Sequence, residues 1–354
     1  MNISTPAGLN PDILKTFRES LGMTQRAFAK EAMTTAALIS RYETGLTVAS
    51  VDFLKKLENH FGIPGDYFTQ TVELGTNGLV HHRKRQALGV KLRTQIEAQG
   101  WLRLFDAIKV ARESHINADL PRTSEKAPEL LSAEIRRLWN LGDKPIDNII
   151  ALLERHGIFV LPFDFGTEQM DAFFMSSVSG VYVIAVNTAF LAVPDRMAFS
   201  IAHELGHVLM HADEFPDEKC EKEANDFASA FLMPPSMTDE LKIGVTSMSA
   251  MSAIKFKWHV SIAALLKRAK SLGVLSEDRY KGLVIWMSSN GYRTREPLCG
   301  LRPLPPPRLF ADTLEKSCGS PESASAFLKL SDEAFKKRYP FFAGRRPPAS
   351  ADPA

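Results

Sequence analysis

The sequence predicts a mostly α chain with a small β-sheet (α+β), in which an all-α N-terminal module precedes a larger mixed unit. Three observations carry this. Apolar residues recur at helical spacing through Ile13, Leu14, Phe17 and Leu21, and again through Leu131, Ile135 and Leu138. Short apolar runs rich in β-branched and aromatic residues replace that period between residues 158 and 186. An apolar, helix-like run from Arg196 to His211 then carries His203-Glu204-Leu205-Gly206-His207.

A chain of 354 residues has room for two or three domains. Its 43 basic and 41 acidic residues leave a net charge of +2, so a nucleic-acid contact must come from a local patch. Cys220, Cys299 and Cys318 show no CxxC spacing, which excludes a cysteine zinc ribbon and argues against a disulfide framework. The N-terminus lacks a basic region followed by an apolar core, and no apolar run reaches ~18 residues. The expectation is a cytoplasmic protein with no membrane partner.

In the N-terminal module the first helix closes at Gly22. Thr24 is a natural N-cap for a second helix bearing Ala27, Phe28 and Ala32. A break at Met33-Thr34 leads to a third, Thr35 to Tyr42, and later core positions come from Val51, Phe53, Leu54, Leu57 and Phe61. That order is the helix-turn-helix layout, whose second motif helix enters the major groove. Leu21-Gly22-Met23-Thr24-Gln25, Phe28-Ala29 and Ile39-Ser40-Arg41-Tyr42-Glu43-Thr44-Gly45 closely resemble the phage-repressor-like (Cro/C1, XRE) family. The resemblance implies a double-stranded DNA partner for residues 1–70, often gripped by a homodimer on a palindrome. It also implies a phosphate anchor at Gln25 and recognition-helix contacts at Thr34, Thr35, Ala36, Ser40 and Arg41. Residues 1–68 hold seven basic and seven acidic side chains, so weak binding is expected of the module alone.

Residues 71–128 read as a basic helical connector. From His81-His82-Arg83-Lys84-Arg85 to Arg112 there are eight Lys/Arg against Glu97 and Asp106. That run suits either extra DNA-backbone contacts or a solvated helix face. Leu92, Ile96, Trp101, Leu104, Phe105 and Ile108 give it helical periodicity, which indicates packing. The polar stretch from Pro121 to Pro128 is the best boundary before a unit spanning 129–295. Helices are expected around Leu130 to Trp139 and from Ile146 to His156, then strands at 158–161, 172–175 and 181–186. Pro194-Asp195 opens the His203 helix, with Asp195 as its cap.

Two imidazoles four positions apart sit one above the other on a helix, where both can grip one ion. Glu204 beside the first can take a proton from a nucleophilic water. His211 continues the series, but it lies eight residues and roughly 12 Å beyond His203, too far to share an ion bound at ~2 Å. The third donor is sought in Cys220-Glu221-Lys222-Glu223-Ala224-Asn225-Asp226. There the apolar face of Ala224, Phe227, Ala228 and Phe231 favours Glu223, with Glu221 and Asp226 as alternatives.

Asp171-Ala172-Phe173, the run from Arg196 to His211, Glu223-Ala224-Asn225-Asp226-Phe227-Ala228 through Met233-Pro234, and Trp258-His259-Val260-Ser261 together resemble the ImmA/IrrE metallo-endopeptidases. The resemblance implies a zincin-like domain with one catalytic zinc per chain. His203, His207 and Glu223 would be its ligands, Glu204 the general base, and a repressor-like protein the substrate. The competing reading is a non-proteolytic regulator whose metal domain senses or docks. Beyond residue 295, Arg302-Pro303-Leu304-Pro305-Pro306-Pro307-Arg308 reads as an extended connector. One or two small helices are expected within 310–339, and a disordered end from Pro347.

Overall fold

The computed structural model describes residues 8–71, 81–82, 88–121, 127–211, 217–292, 296–298 and 303–343. Helices α1 (Pro11–Ser20), α2 (Gln25–Glu31), α3 (Ala36–Glu43) and α4 (Val51–Phe61) form the N-terminal module. Each begins on a polar side chain that accepts a first-turn N–H: Asn10, Thr24, Thr35 and Ser50. Phe17 packs edge-on against Phe28, Phe61 and Phe68, which ties α1, α2, α4 and the 3-10 turn at Gly65–Thr69 into one core, and Tyr42 of α3 joins it against Phe53 at 4.6 Å.

A two-residue strand, β1 (His81–His82), precedes the 24-residue helix α5 (Val90–Glu113). The charge run through this region gives little hint of how deeply α5 is embedded. Ile96, Leu102, Leu104, Phe105 and Ile108 are all buried, with α1 on one side and the sheet on the other. Even Arg103 is buried; its guanidinium lies 4.0 Å from the Phe163 ring centroid and donates to the Arg338 carbonyl at 3.3 Å. Gly100 permits this approach, because a Cβ there would come within 2.7 Å of Phe173 and 2.8 Å of Met175.

Helices α6 (Pro128–Leu138) and α7 (Ile149–Arg155) lead into β2 (Phe159–Phe163), β3 (Ala172–Ser176) and β4 (Tyr182–Asn187). The sheet order is β1-β3-β4-β2, with β2 parallel to β4 and the other two pairings antiparallel. The strands β2 to β4 read as near-continuous apolar runs because both faces are covered. Phe159, Leu161, Phe173, Met175, Val183 and Ala185 face α5, the N-terminal module and the C-terminal helices. Val160, Ala172, Phe174, Ile184 and Val186 face the second core.

That second core is built by α6 and α7 together with α8 (Pro194–Met210), α9 (Glu218–Leu232), α10 (Thr238–Gly244), α11 (Met248–Trp258), α12 (Ile262–Ser271) and α13 (Glu277–Ser289). Asp195 does not cap α8; its carboxylate pairs instead with the buried Lys255, which also binds Glu296 at 2.7 Å. The tail forms α14 (Leu309–Cys318), α15 (Pro321–Leu328), α16 (Asp332–Arg338) and α17 (Pro340–Ala343). It is more extensive than one or two appended helices, and Phe310, Leu314, Phe335 and Tyr339 join the core around α5. Asp106 of α5 accepts from Arg338 Nη1 at 2.8 Å and Tyr339 Oη at 2.7 Å, and the same Arg338 nitrogen donates to Tyr67 Oη at 2.9 Å. Cys220 and Cys318 are free thiols. Among the described residues no helix is long and apolar enough to cross a membrane. The run Arg83-Lys84-Arg85, the segment 122–126, Cys299, Arg302 and the end from Pro347 lie outside the described residues.

Candidate metal centre

Helix α8 is buried nearly all round, and His203, Glu204 and His207 are at most 1 % exposed. The four-residue spacing brings the two Nε2 atoms to 3.1 Å from each other. Two nitrogens bound at about 2 Å to one tetrahedral ion would lie roughly 3.3 Å apart, so the pair is already spaced for a shared ion.

The carboxylate that joins them is Glu221. Its Oε2 lies 3.5 Å from His203 Nε2 and its Oε1 lies 3.4 Å from His207 Nε2. All three donor atoms fall within 4.8 Å of one another. Glu223, which the sequence pattern favoured, goes elsewhere: its Oε2 sits 2.9 Å from His211 Nε2. The physical reason is the packing of α9 on α8. Gly206 faces α9 so closely that a Cβ there would meet Ala224 Cα at 3.2 Å and Phe227 at 3.1 Å. Contact at Ala224 aims the side chain one turn before it, Glu221, at the imidazole pair. Glu223 lies on the row leading to Phe227 and meets the end of α8. Asp226 joins neither cluster.

His211 ends α8, and its Nδ1 is 3.3 Å from His207 Nδ1. Glu223, His211 and His207 thus form a chain that fixes the His207 ring from behind, the position from which outer hydrogen bonds orient metal-binding imidazoles. Burial pushes the Glu221 carboxyl up, but the two imidazoles outweigh it and hold the group down at about 2. Its Oε1 is buried without a hydrogen-bond donor among the described residues. Two imidazole nitrogens and a carboxylate with an orphaned oxygen form a donor set that fits zinc.

Glu204, next to His203 on α8, reaches β3. Its Oε2 accepts the Phe174 N–H at 3.1 Å. The register of β3 on α8 is fixed by Asp171, which receives Arg196 at 2.8 Å through both Nε and Nη2 and the Ser200 hydroxyl at 3.0 Å. The far end of α9 is held by buried arginines: Arg136 donates to the Phe231 carbonyl at 2.6 Å and Arg268 to the Met233 carbonyl at 2.8 Å. These anchors were not singled out in the sequence. Their signal, an arginine on the apolar side of a helix, is visible only once that side is known.

In the N-terminal module, Thr35 and Arg41 are exposed, while Thr34, Ala36 and Ser40 are half-buried on the same segment. Thr35 also caps α3 by accepting the Leu38 N–H at 3.3 Å. The Gln25 amide donates to Glu43 Oε2 at 2.8 Å, and Arg18 binds the same carboxylate at 2.5 and 3.1 Å. Gln25 is thereby held at the start of α2 beside the exposed face.

A four-helix module with a partly exposed third helix, joined to a cluster of two histidines and two glutamates, defines a helix-turn-helix protein with a metallopeptidase-like domain. Comparison with protein families agrees. Residues 14–68 match the helix-turn-helix family, and residues 153–270 match the IrrE N-terminal-like domain. The chain carries an XRE-type helix-turn-helix domain fused to an IrrE/ImmA-like domain. The comparison with curated proteins gives no match.

Proposed function

We propose that this protein is a DNA-binding transcriptional regulator whose second domain is a zinc-dependent endopeptidase acting on a repressor-like protein. The observation that carries this reading is the convergence of His203 Nε2, His207 Nε2 and Glu221 beside Glu204. His203, His207 and Glu221 would hold the metal, which when bound polarises a scissile carbonyl and acidifies the attacking water. Glu204 accepts that water's proton and returns it to the leaving amine. The Phe174 N–H keeps its carboxylate at the β3 edge, while Asp171, Arg196 and Ser200 keep β3 aligned with α8. The Glu223–His211 pair orients His207. On the other domain, Arg41 and Thr35 would meet DNA, with Gln25 at a phosphate and Thr34, Ala36 and Ser40 flanking.

The test compares wild type with Glu204→Gln. Zinc should bind both to about one equivalent, and cleavage of a candidate repressor should fall by about 100-fold or more in the variant. Equal cleavage by both would remove Glu204 from the chemistry. Absence of zinc from carefully purified wild type would favour a regulator without proteolysis.

A further inference from the structure

A cavity of about 480 Å³ opens where the N-terminal module, α5 and the tail meet. That volume falls within the roughly 300–1,000 Å³ usual for small-molecule sites. None of its lining residues belongs to the candidate metal centre, and all of them are among the described residues. Its apolar walls come from three parts of the chain: Ile13 and Tyr67, then Phe105 and Ile108 of α5, then Phe327 of α15.

The charged lining leans positive. Lys109, Arg112 and Lys329 stand against Asp106 and Glu113, and Asp106 is already engaged by Arg338 and Tyr339. Lys109 is half-buried, and the acceptors its ammonium reaches are both neutral: Gln70 Oε1 at 3.1 Å and the Phe327 carbonyl. An ammonium carries three donor hydrogens, so a further acceptor can be taken. Burial, and then the neighbouring Lys329, push the Lys109 ammonium below its usual range, and an anion beside it would offset both. Lys329 Nζ lies 3.5 Å from the exposed Asp66 carboxylate, a pair that solvent screens.

We propose that this cavity binds a small organic monocarboxylate, its carboxylate held by Lys109 and Lys329 and its apolar body against Ile13, Phe105 and Ile108. Asp106 and Glu113 disfavour a doubly charged ligand in the same space. Because its walls belong to the N-terminal module, α5 and the tail, an occupied cavity would stabilise the packing of all three.

The experiment titrates the full-length protein with octanoate by calorimetry, beside Lys109→Met and Lys329→Asn. Methionine keeps the buried stem of Lys109 without its charge, and asparagine tolerates the left-handed backbone of Lys329 at φ 57°. Octanoate should bind wild type saturably, and each variant about tenfold more weakly or worse. Octanol, which lacks the carboxylate, should also bind about tenfold more weakly than octanoate. Lys329→Asn, at the half-buried end of α15, keeps the test decisive if Lys109→Met fails to fold. No saturable binding of octanoate to wild type would overturn the proposal. So would equal affinity of wild type and both variants, or equal affinity for octanoate and octanol.

Discussion

The two ends of this molecule are built on opposite terms. The helix-turn-helix module turns Thr35 and Arg41 outward at α3 and keeps its aromatic core behind them. The candidate metal centre keeps His203, Glu204 and His207 inside, on a helix with almost no exposed face. In the first case the side chains can be read off a motif, because an exposed residue answers to its ligand. In the second, each side chain answers to every neighbour, and one close contact decides which carboxylate arrives. Gly206 against Ala224 is that contact.

The sharpest test of how far the N-terminal module is coupled to the rest is the buried joint behind it. Asp106, Arg338, Tyr339 and Tyr67 connect α5, the C-terminal helices and the rear of the N-terminal module. Asp106→Ala leaves Arg338 buried without its carboxylate and should cost about 3 kcal/mol, read by urea unfolding. If the regions were independent, loss at this joint would leave one unfolding transition unmoved; a concerted shift is expected.

Within the metal centre, Gly206→Ala should push α9 away by a few tenths of an ångström and lower zinc affinity by about tenfold, measured by competition with a chelator. DNA binding by the same variant should be unchanged. Conversely, Arg41→Ala should weaken DNA binding and reduce the salt slope by about one if it neutralises a phosphate, with zinc content untouched. Gln25→Ala should act more weakly, since the Gln25 amide is already engaged by Glu43.

Much of this was legible in the sequence, and the exceptions share a cause. The helix cap at Thr24, the HExxH helix and the three strands β2 to β4 are local patterns, and local patterns are what a sequence displays. The choice between Glu221 and Glu223 is not local. Both flank the apolar face of α9, and only the rotation of that helix on α8 tells them apart. The depth of α5 was hidden because its basic residues suggested solvent, whereas Arg103 is covered by Phe163 and the C-terminal segment. The tail was undervalued because its helices are short and their partners lie more than 200 residues away.

The central claim is that Glu221 completes the site of His203 and His207 while Glu223 orients it through His211. The direct measurement is the zinc dissociation constant of Glu221→Ala beside that of Glu223→Ala, each on the full-length protein. Loss of a direct ligand should weaken binding by about 1000-fold, and loss of the outer partner by about 10- to 100-fold. A Glu223→Ala protein that binds zinc more weakly than Glu221→Ala would contradict the account.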